Sequence, residues 1–346
     1  MPTLRENLER ALRGEDLEQF PFGVYSWLYD QAGFPADEEP STVARMHMGA
    51  GCFREEHDSV TEEAQPLPDG GLLTTLHTPL GDLSRRQAVE PGYGSYWTVE
   101  PFIQQPEDWR ILQYVIEDTH YSEIPDEFAR VEELLGESGL VIPGLPRMPF
   151  QRLWIEFAAL EQLCFLLADQ RDRLDRLVSL LTVQGQEAWK ILARSDAEFV
   201  WAPDNLTADV LSPELYRRYA QPYYEALAEV LHPAGKKIVA HMDGHLAALV
   251  DLIARSPVDV IESFTPPPNG NLPLGQAWQA WPDKCLFLNF PPALHLCEPE
   301  EIRQFIEEYI GQVPQRRRLA FEISEDVPLD LLAGNILAIA EVLQEA

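Results

Sequence analysis

The stretch Lys236-Lys237-Ile238-Val239-Ala240-His241-Met242-Asp243-Gly244 decides the fold: an apolar run of strand length that stops abruptly on polar residues and a glycine. A strand buried on both faces must be apolar along its length, so polar side chains collect where it leaves the sheet. The same pattern recurs. Glu198-Phe199-Val200-Trp201 runs into Pro203-Asp204-Asn205, Val260-Ile261 into Glu262-Ser263, and Leu319-Ala320-Phe321 into Glu322-Ile323-Ser324-Glu325-Asp326.

Working outward, strand candidates fall at Gly139 to Leu145, Glu198 to Ala202, Lys236 to His241, Val258 to Phe264, Lys284 to Phe290 and Arg318 to Ile323. Amphipathic stretches of helical period separate them, which is the rhythm of βαβ units and a parallel sheet. Upstream, Phe20-Pro21-Phe22-Gly23-Val24-Tyr25-Ser26-Trp27 reads as a first strand. It follows a helix that Thr3 and Glu6 open as a capping box and Gly14 stops. An eighth strand is expected between residues 30 and 135, and Ser95-Tyr96-Trp97-Thr98-Val99 is the candidate. A hairpin is expected around residues 70–81 within that excursion. No G-x-G-x-x-G loop follows any strand, which argues against a dinucleotide-binding sheet. The expected architecture is therefore an α/β fold, a (β/α)8 TIM barrel with an N-terminal excursion. One domain over residues 1–346 is expected, although the length also permits two.

The chain has 346 residues, 45% of them hydrophobic, and carries 57 acidic against 26 basic side chains for a formal charge of −31. Such a charge, spread along the chain, repels nucleic acid and anionic membranes at long range. A small molecule is the expected ligand. The cysteines Cys52, Cys164, Cys285 and Cys297 have no C-x-x-C spacing, so reduced structural thiols are expected. No apolar leader or membrane-length run stands out, and a cytoplasmic protein is expected.

In a parallel barrel the active site lies at the C-terminal ends of the strands. His241 and Asp243, two apart, project to the same side of an extended backbone. Together with Glu325 or Glu322 they offer nitrogen and oxygen ligands for a divalent cation such as zinc. The plainer reading makes Asp243 a helix cap and His241 a core histidine. Glu262, in an apolar strand, needs a partner or a task. Asp204 and Asn205 either orient substrate or form an ordinary turn, and His245 opens the next helix or joins the site. Tyr25, Trp27 and Trp97 line a pocket or belong to the core. The rigid run Thr265-Pro266-Pro267-Pro268-Asn269-Gly270-Asn271 is a shaped loop at the barrel mouth or a connector.

Several of these stretches resemble the uroporphyrinogen decarboxylase superfamily, whose barrels include the decarboxylase and corrinoid-linked methyltransferases. The resemblance rests on Arg5-Glu6-Asn7 with Phe20-Pro21, Thr78-Pro79-Leu80-Gly81, Leu211-Ser212-Pro213-Glu214-Leu215, Pro222-Tyr223-Tyr224 and Gly235-Lys236-Lys237. It continues through His241-Met242-Asp243-Gly244 and Glu325-Asp326-Val327-Pro328 ahead of Asn335-Ile336. In the methyltransferase branch a His-x-Cys pair and a distant cysteine hold zinc. The resemblance implies His241, Asp243 and Glu325 at those places, with both thiolates replaced by harder carboxylates. It implies a metal-dependent methyltransferase working with a corrinoid protein. Within such a site the strand-end position of Glu262, Asp204 and Glu322 makes them the expected catalytic residues, positioning substrate or moving protons, and Asn205, Trp27 and Tyr25 the expected substrate contacts. The decarboxylase branch uses arginines in a motif like Arg-Gln-Ala-Gly-Arg. Here Tyr29-Asp30-Gln31-Ala32-Gly33-Phe34 has neither, so uroporphyrinogen is the weaker substrate. Decarboxylation of another acid, or tetrapyrrole or corrinoid binding without turnover, are the alternatives.

Overall fold

The computed structural model describes residues 2–35, 39–90, 92–93 and 95–345. The chain divides into two compact units, one of Met1–Cys52, Pro125–Leu145 and Leu192–Ala346, the other of Phe53–Ile124 and Pro146–Ile191.

The first unit contains eight parallel strands: β1 (Phe22–Tyr25), β2 (Val43–Ala50), β3 (Gly139–Pro143), β4 (Phe199–Ala202), β5 (Lys237–His241), β6 (Val260–Phe264), β7 (Cys285–Asn289) and β8 (Leu319–Ile323). Strands adjacent in sequence pair with one another except β3 with β4, and β8 returns to β1 with Phe321 opposite Phe22. The seam between β3 and β4 is drawn together by the Leu145 amide, which donates to the Trp201 carbonyl at 2.7 Å. This is a (β/α)8 barrel. Its strand interiors are apolar because both faces are covered: Val24, Met46, Ile142, Val200, Val239, Ile261, Phe287 and Ile323 are all fully buried. Burying each such side chain stabilises the fold by about 1.5–3 kcal/mol.

The eighth strand is β2, which corrects the expectation placed on Ser95–Val99. The sequence Val43-Ala44-Arg45-Met46-His47-Met48-Gly49-Ala50 mixes charged and apolar side chains, so it lacks the apolar run that marks the other barrel strands. Tyr96–Glu100 is instead the last strand of a four-stranded antiparallel sheet in the second unit. Trp97 there is 68% exposed, so it does not belong to a core. The hairpin expected around residues 70–81 is present in that sheet, as Leu72–Thr78 paired antiparallel with Gly81–Val89.

The opening helix forms as its capping signals require. Leu4–Arg13 begins at Thr3, whose hydroxyl accepts from the Glu6 amide while the Glu6 carboxylate accepts from the Thr3 amide. Arg5 then leaves the helix sideways. Its guanidinium donates to Glu132 Oε1 at 2.8 Å and to the Gly139 carbonyl at 3.2 Å. The Arg5-Glu6-Asn7 stretch therefore serves to start a helix and tie it to the entry of β3. No described helix is long and apolar enough to cross a membrane.

Candidate active site

The polar residues at the strand ends meet in the first unit. β5 ends on His241 and its register partner on β6 is Glu262. Both are buried. His241 Nδ1 lies 2.8 Å from Glu262 Oε2. Tyr25, the last residue of β1, donates its hydroxyl to Glu262 Oε1 at 2.5 Å, and the Trp201 indole N–H donates to Glu262 Oε2 at 2.9 Å. A fully buried carboxylate is costly unless its lone pairs are used. Three donors from β1, β4 and β5 satisfy most of those of Glu262.

With Nδ1 occupied, the other imidazole nitrogen faces two further carboxylates. Nε2 lies 3.8 Å from Asp243 Oδ2 and 3.3 Å from Glu325 Oε1. The three residues offer one ligand atom each within 4.8 Å of one another. Ligand bonds of about 2.0–2.2 Å in a tetrahedron place neighbouring ligand atoms roughly 3.4 Å apart, so this spacing fits a cation such as zinc. Without a cation the same carboxylates hold a proton on the ring. Burial opposes the charged imidazole, but Glu262, Asp243 and Glu325 outweigh it and raise the His241 pKa well above the ordinary range. The reciprocal interaction with His241, helped by Asn205, outweighs burial at Asp243 and lowers its pKa.

Asp243 is oriented from β4. The Asn205 side-chain amide donates to Asp243 Oδ2 at 3.1 Å, from a backbone with φ of 45°. The two segments approach closely because residue 244 is glycine: a Cβ there would lie 2.2 Å from Thr207 Cβ. Asp204 points elsewhere. It is fully buried and accepts from the Tyr224 hydroxyl at 2.6 Å.

Glu322 is not the cluster's third carboxylate; Glu325 is. Glu322 is fully buried on β8, with Oε1 accepting from the Ser263 amide at 2.7 Å and Oε2 without a hydrogen-bond partner. Burial, then the nearby charge of Glu262, raises its pKa well above the usual carboxylate range, which favours its protonated form. Ser263 has φ of 55° and its hydroxyl reaches Ser324 Oγ at 2.8 Å and Glu325 Oε1 at 3.1 Å.

Of the candidates from sequence, Tyr25, His241, Asp243, Glu262 and Glu325 come together in one group, and Asn205 supports it. Trp27 stands outside that group. The strand ends at Tyr25, and Trp27 sits 41% exposed on the helix Ser26–Ala32. His245 pairs with Asp209 at 2.9 Å instead of joining His241. The Pro-rich run is shaped by contacts at the rim: Asn269 Oδ1 accepts from the Ala293 amide and Asn271 Oδ1 from the Ala247 amide. Trp201, Ser263 and Ser324 were not foreseen as site residues. Their signal was position at a strand end, which an indole or a lone hydroxyl marks weakly.

Comparison with solved structures gives a methyltransferase from Methanosarcina mazei, 13% identical, covering 100% of this chain and 99% of that one with a TM-score of 0.61. That likeness concerns the fold. A protein from Listeria monocytogenes described as a vitamin-B12-independent methionine synthase aligns over 65% of this chain and 71% of its own, at 14% identity and a TM-score of 0.44. Comparison with curated protein sequences returns no match. The family model for uroporphyrinogen decarboxylase matches residues 158–346, more than half of the chain and the part that carries β4 to β8 with His241, Glu262 and Glu325. By that match the chain belongs to the uroporphyrinogen decarboxylase (URO-D) family.

Proposed function

We propose that this chain is a metal-dependent, methyltransferase-like enzyme in which His241, Asp243 and Glu325 hold a divalent cation, zinc first among the candidates. One observation carries the reading: Glu262 occupies Nδ1 of His241 and leaves Nε2 directed at two carboxylates. A carboxylate behind a ligand histidine fixes the ring and raises its basicity. Glu262, buried and already accepting from three donors, is then a positioning residue, and Tyr25 and Trp201 hold it in place. The cation, when bound, supplies Lewis acidity toward a methyl acceptor. Glu322 is the residue suited to give a proton, being buried and having its pKa raised. Asn205 orients Asp243, and Asp204 supports that segment through Tyr224. A corrinoid protein as the methyl carrier is supported by the family resemblance and by the fold shared with the Methanosarcina methyltransferase.

The test is metal analysis of protein purified without added zinc, beside His241→Ala and Asp243→Ala. Near-stoichiometric metal in the wild type and its loss from both variants supports the reading, and a metal-free wild type that also fails to bind added zinc sinks it. Methyl transfer is then assayed with a methylated corrinoid protein and thiol acceptors. Release of carbon dioxide from a carboxylated substrate without metal would favour the decarboxylase alternative.

A further inference from the structure

The backbone at the end of β6 is distorted at a single residue. Ser263 has φ of 55°, a left-handed conformation that side chains other than glycine adopt at a cost, and the β6–β7 register shifts between Ile261 and Phe264. Such a conformation persists only where surrounding contacts overdetermine it. They do so here. The Ser263 amide donates to Glu322 Oε1 at 2.7 Å, and its carbonyl accepts from the Thr265 hydroxyl at 3.0 Å. Thr265 is itself held by the Asn289 amide at 3.1 Å, and the other end of Asn289 accepts from the Ser324 amide at 3.2 Å. The fully buried side chain of Ser263 therefore ends between two groups of the β8 exit, Ser324 Oγ at 2.8 Å and Glu325 Oε1 at 3.1 Å.

A hydroxyl has one proton to donate. Glu325 Oε1, an acceptor, is the same oxygen that lies 3.3 Å from His241 Nε2. Ser324 can therefore donate to Ser263, and Ser263 to Glu325. In an ordinary extended conformation residue 263 would keep its amide in the ladder with β7; the left-handed turn directs that amide to β8 instead. The strain thus has a local product, a hydroxyl fixed against the carboxylate that faces the imidazole.

We infer that Ser263 is a positioning residue for Glu325, holding through its hydroxyl the carboxylate that completes the His241–Asp243–Glu325 group. This inference rests on the cation reading above for its effect on affinity, but its structural part stands without a cation. Partners of ligating carboxylates commonly change metal affinity by 10- to 100-fold when removed.

Ser263→Gly is the informative variant, because glycine keeps a positive φ without strain while removing the CH2OH side chain that carries the hydroxyl. Two measurements are made: zinc(II) titration of chelator-stripped protein by calorimetry, and a crystal structure of the stripped variant. The expected results are zinc affinity roughly 10- to 100-fold weaker than wild type and a Glu325 carboxylate turned away from His241. Ser324→Ala, which removes a hydroxyl that bonds to Ser263 and not to the Glu325 carboxylate, should weaken zinc less. If Glu325 stays beside His241 in metal-free Ser263→Gly, the inference is overturned whatever the zinc data show. If the wild type takes up no zinc but Glu325 moves in the variant, the cation reading fails and the positioning role stands. Should zinc bind both proteins equally tightly, the hydroxyl does not govern the site and the inference is likewise overturned.

Discussion

His241 Nδ1 and Glu262 Oε2 lie 2.8 Å apart across the register pair that joins β5 to β6. The two residues belong to neighbouring strands, so the backbone ladder itself sets their contact. The ring is thereby fixed with Nε2 toward Asp243 and Glu325, before any ligand arrives. Preorganisation of this kind is what a cation site needs, since flexible ligands lose affinity to the cost of ordering them.

Glu262→Gln should weaken both the fold and the site. The two carboxylate oxygens receive the Tyr25 hydroxyl, the Trp201 indole and His241, whereas the amide offers one oxygen and sets its NH2 against a donor. A loss of about 1–3 kcal/mol is expected from urea denaturation in excess chelator. Zinc affinity should fall roughly 10- to 100-fold. Unchanged stability would mean that the three donors do not depend on the carboxylate.

His295 should make the protein sensitive to mild acid. It is buried against the Phe290 ring, and burial outweighs a hydrogen bond with the Phe290 backbone and pushes its pKa down to about 4. In the unfolded chain a histidine titrates near 6.5, so between that value and about 4 the unfolded state binds a proton that the native state refuses. Stability from this group is complete above pH 6.5 and is lost as pH falls toward 4, on the order of 3 kcal/mol in all. Denaturation of His295→Leu and wild type across that window should show the difference between them shifting in the variant's favour at low pH. A constant difference would exclude His295 as the cause.

Gly23→Ala should overpack the barrel between β1 and β2. A Cβ at residue 23 would lie 2.2 Å from Met46 Sδ, and Met46 is fully buried. Overpacking of this kind costs about 1–3 kcal/mol. In a Met46→Ala background the clash is gone, so a double-mutant cycle should show strong coupling between the two positions. Additive effects would locate the penalty elsewhere.

Tyr224→Phe should destabilise through Asp204. The hydroxyl donates to Asp204 Oδ2 at 2.6 Å, and the carboxylate is fully buried. Removing a donor from a buried carboxylate costs about 1–3 kcal/mol. Zinc titration of the same variant gauges how far the change reaches Asn205 and Asp243; a fall in affinity as large as that of Asp243→Ala would contradict a purely supporting role.

The barrel and the region of its site were legible in the residues because both have local signatures. Seven strands announce themselves as apolar runs, four of them running into polar residues, and His241 with Asp243 are brought to one side by the period of extended backbone alone. The Gly in the same stretch and the capping box at Thr3 and Glu6 are equally local. β2 escaped because its pattern of Arg45, Met46 and His47 has no apolar run to mark it.

What tertiary structure alone decided is the assignment of tasks among the acidic residues. From sequence, Glu262, Glu322 and Glu325 are three carboxylates at strand ends, interchangeable as ligand, acid or base. Their roles diverge through partners that lie far along the chain. Tyr25 and Trp201 donate to Glu262, burial and the charge of Glu262 raise the pKa of Glu322, and the Ser263 hydroxyl holds Glu325 against His241. Barrel closure creates those neighbours by joining β8 to β1 and setting β6 beside β5. No periodicity in the chain encodes them, because hydrogen bonds and desolvation depend on distances in space.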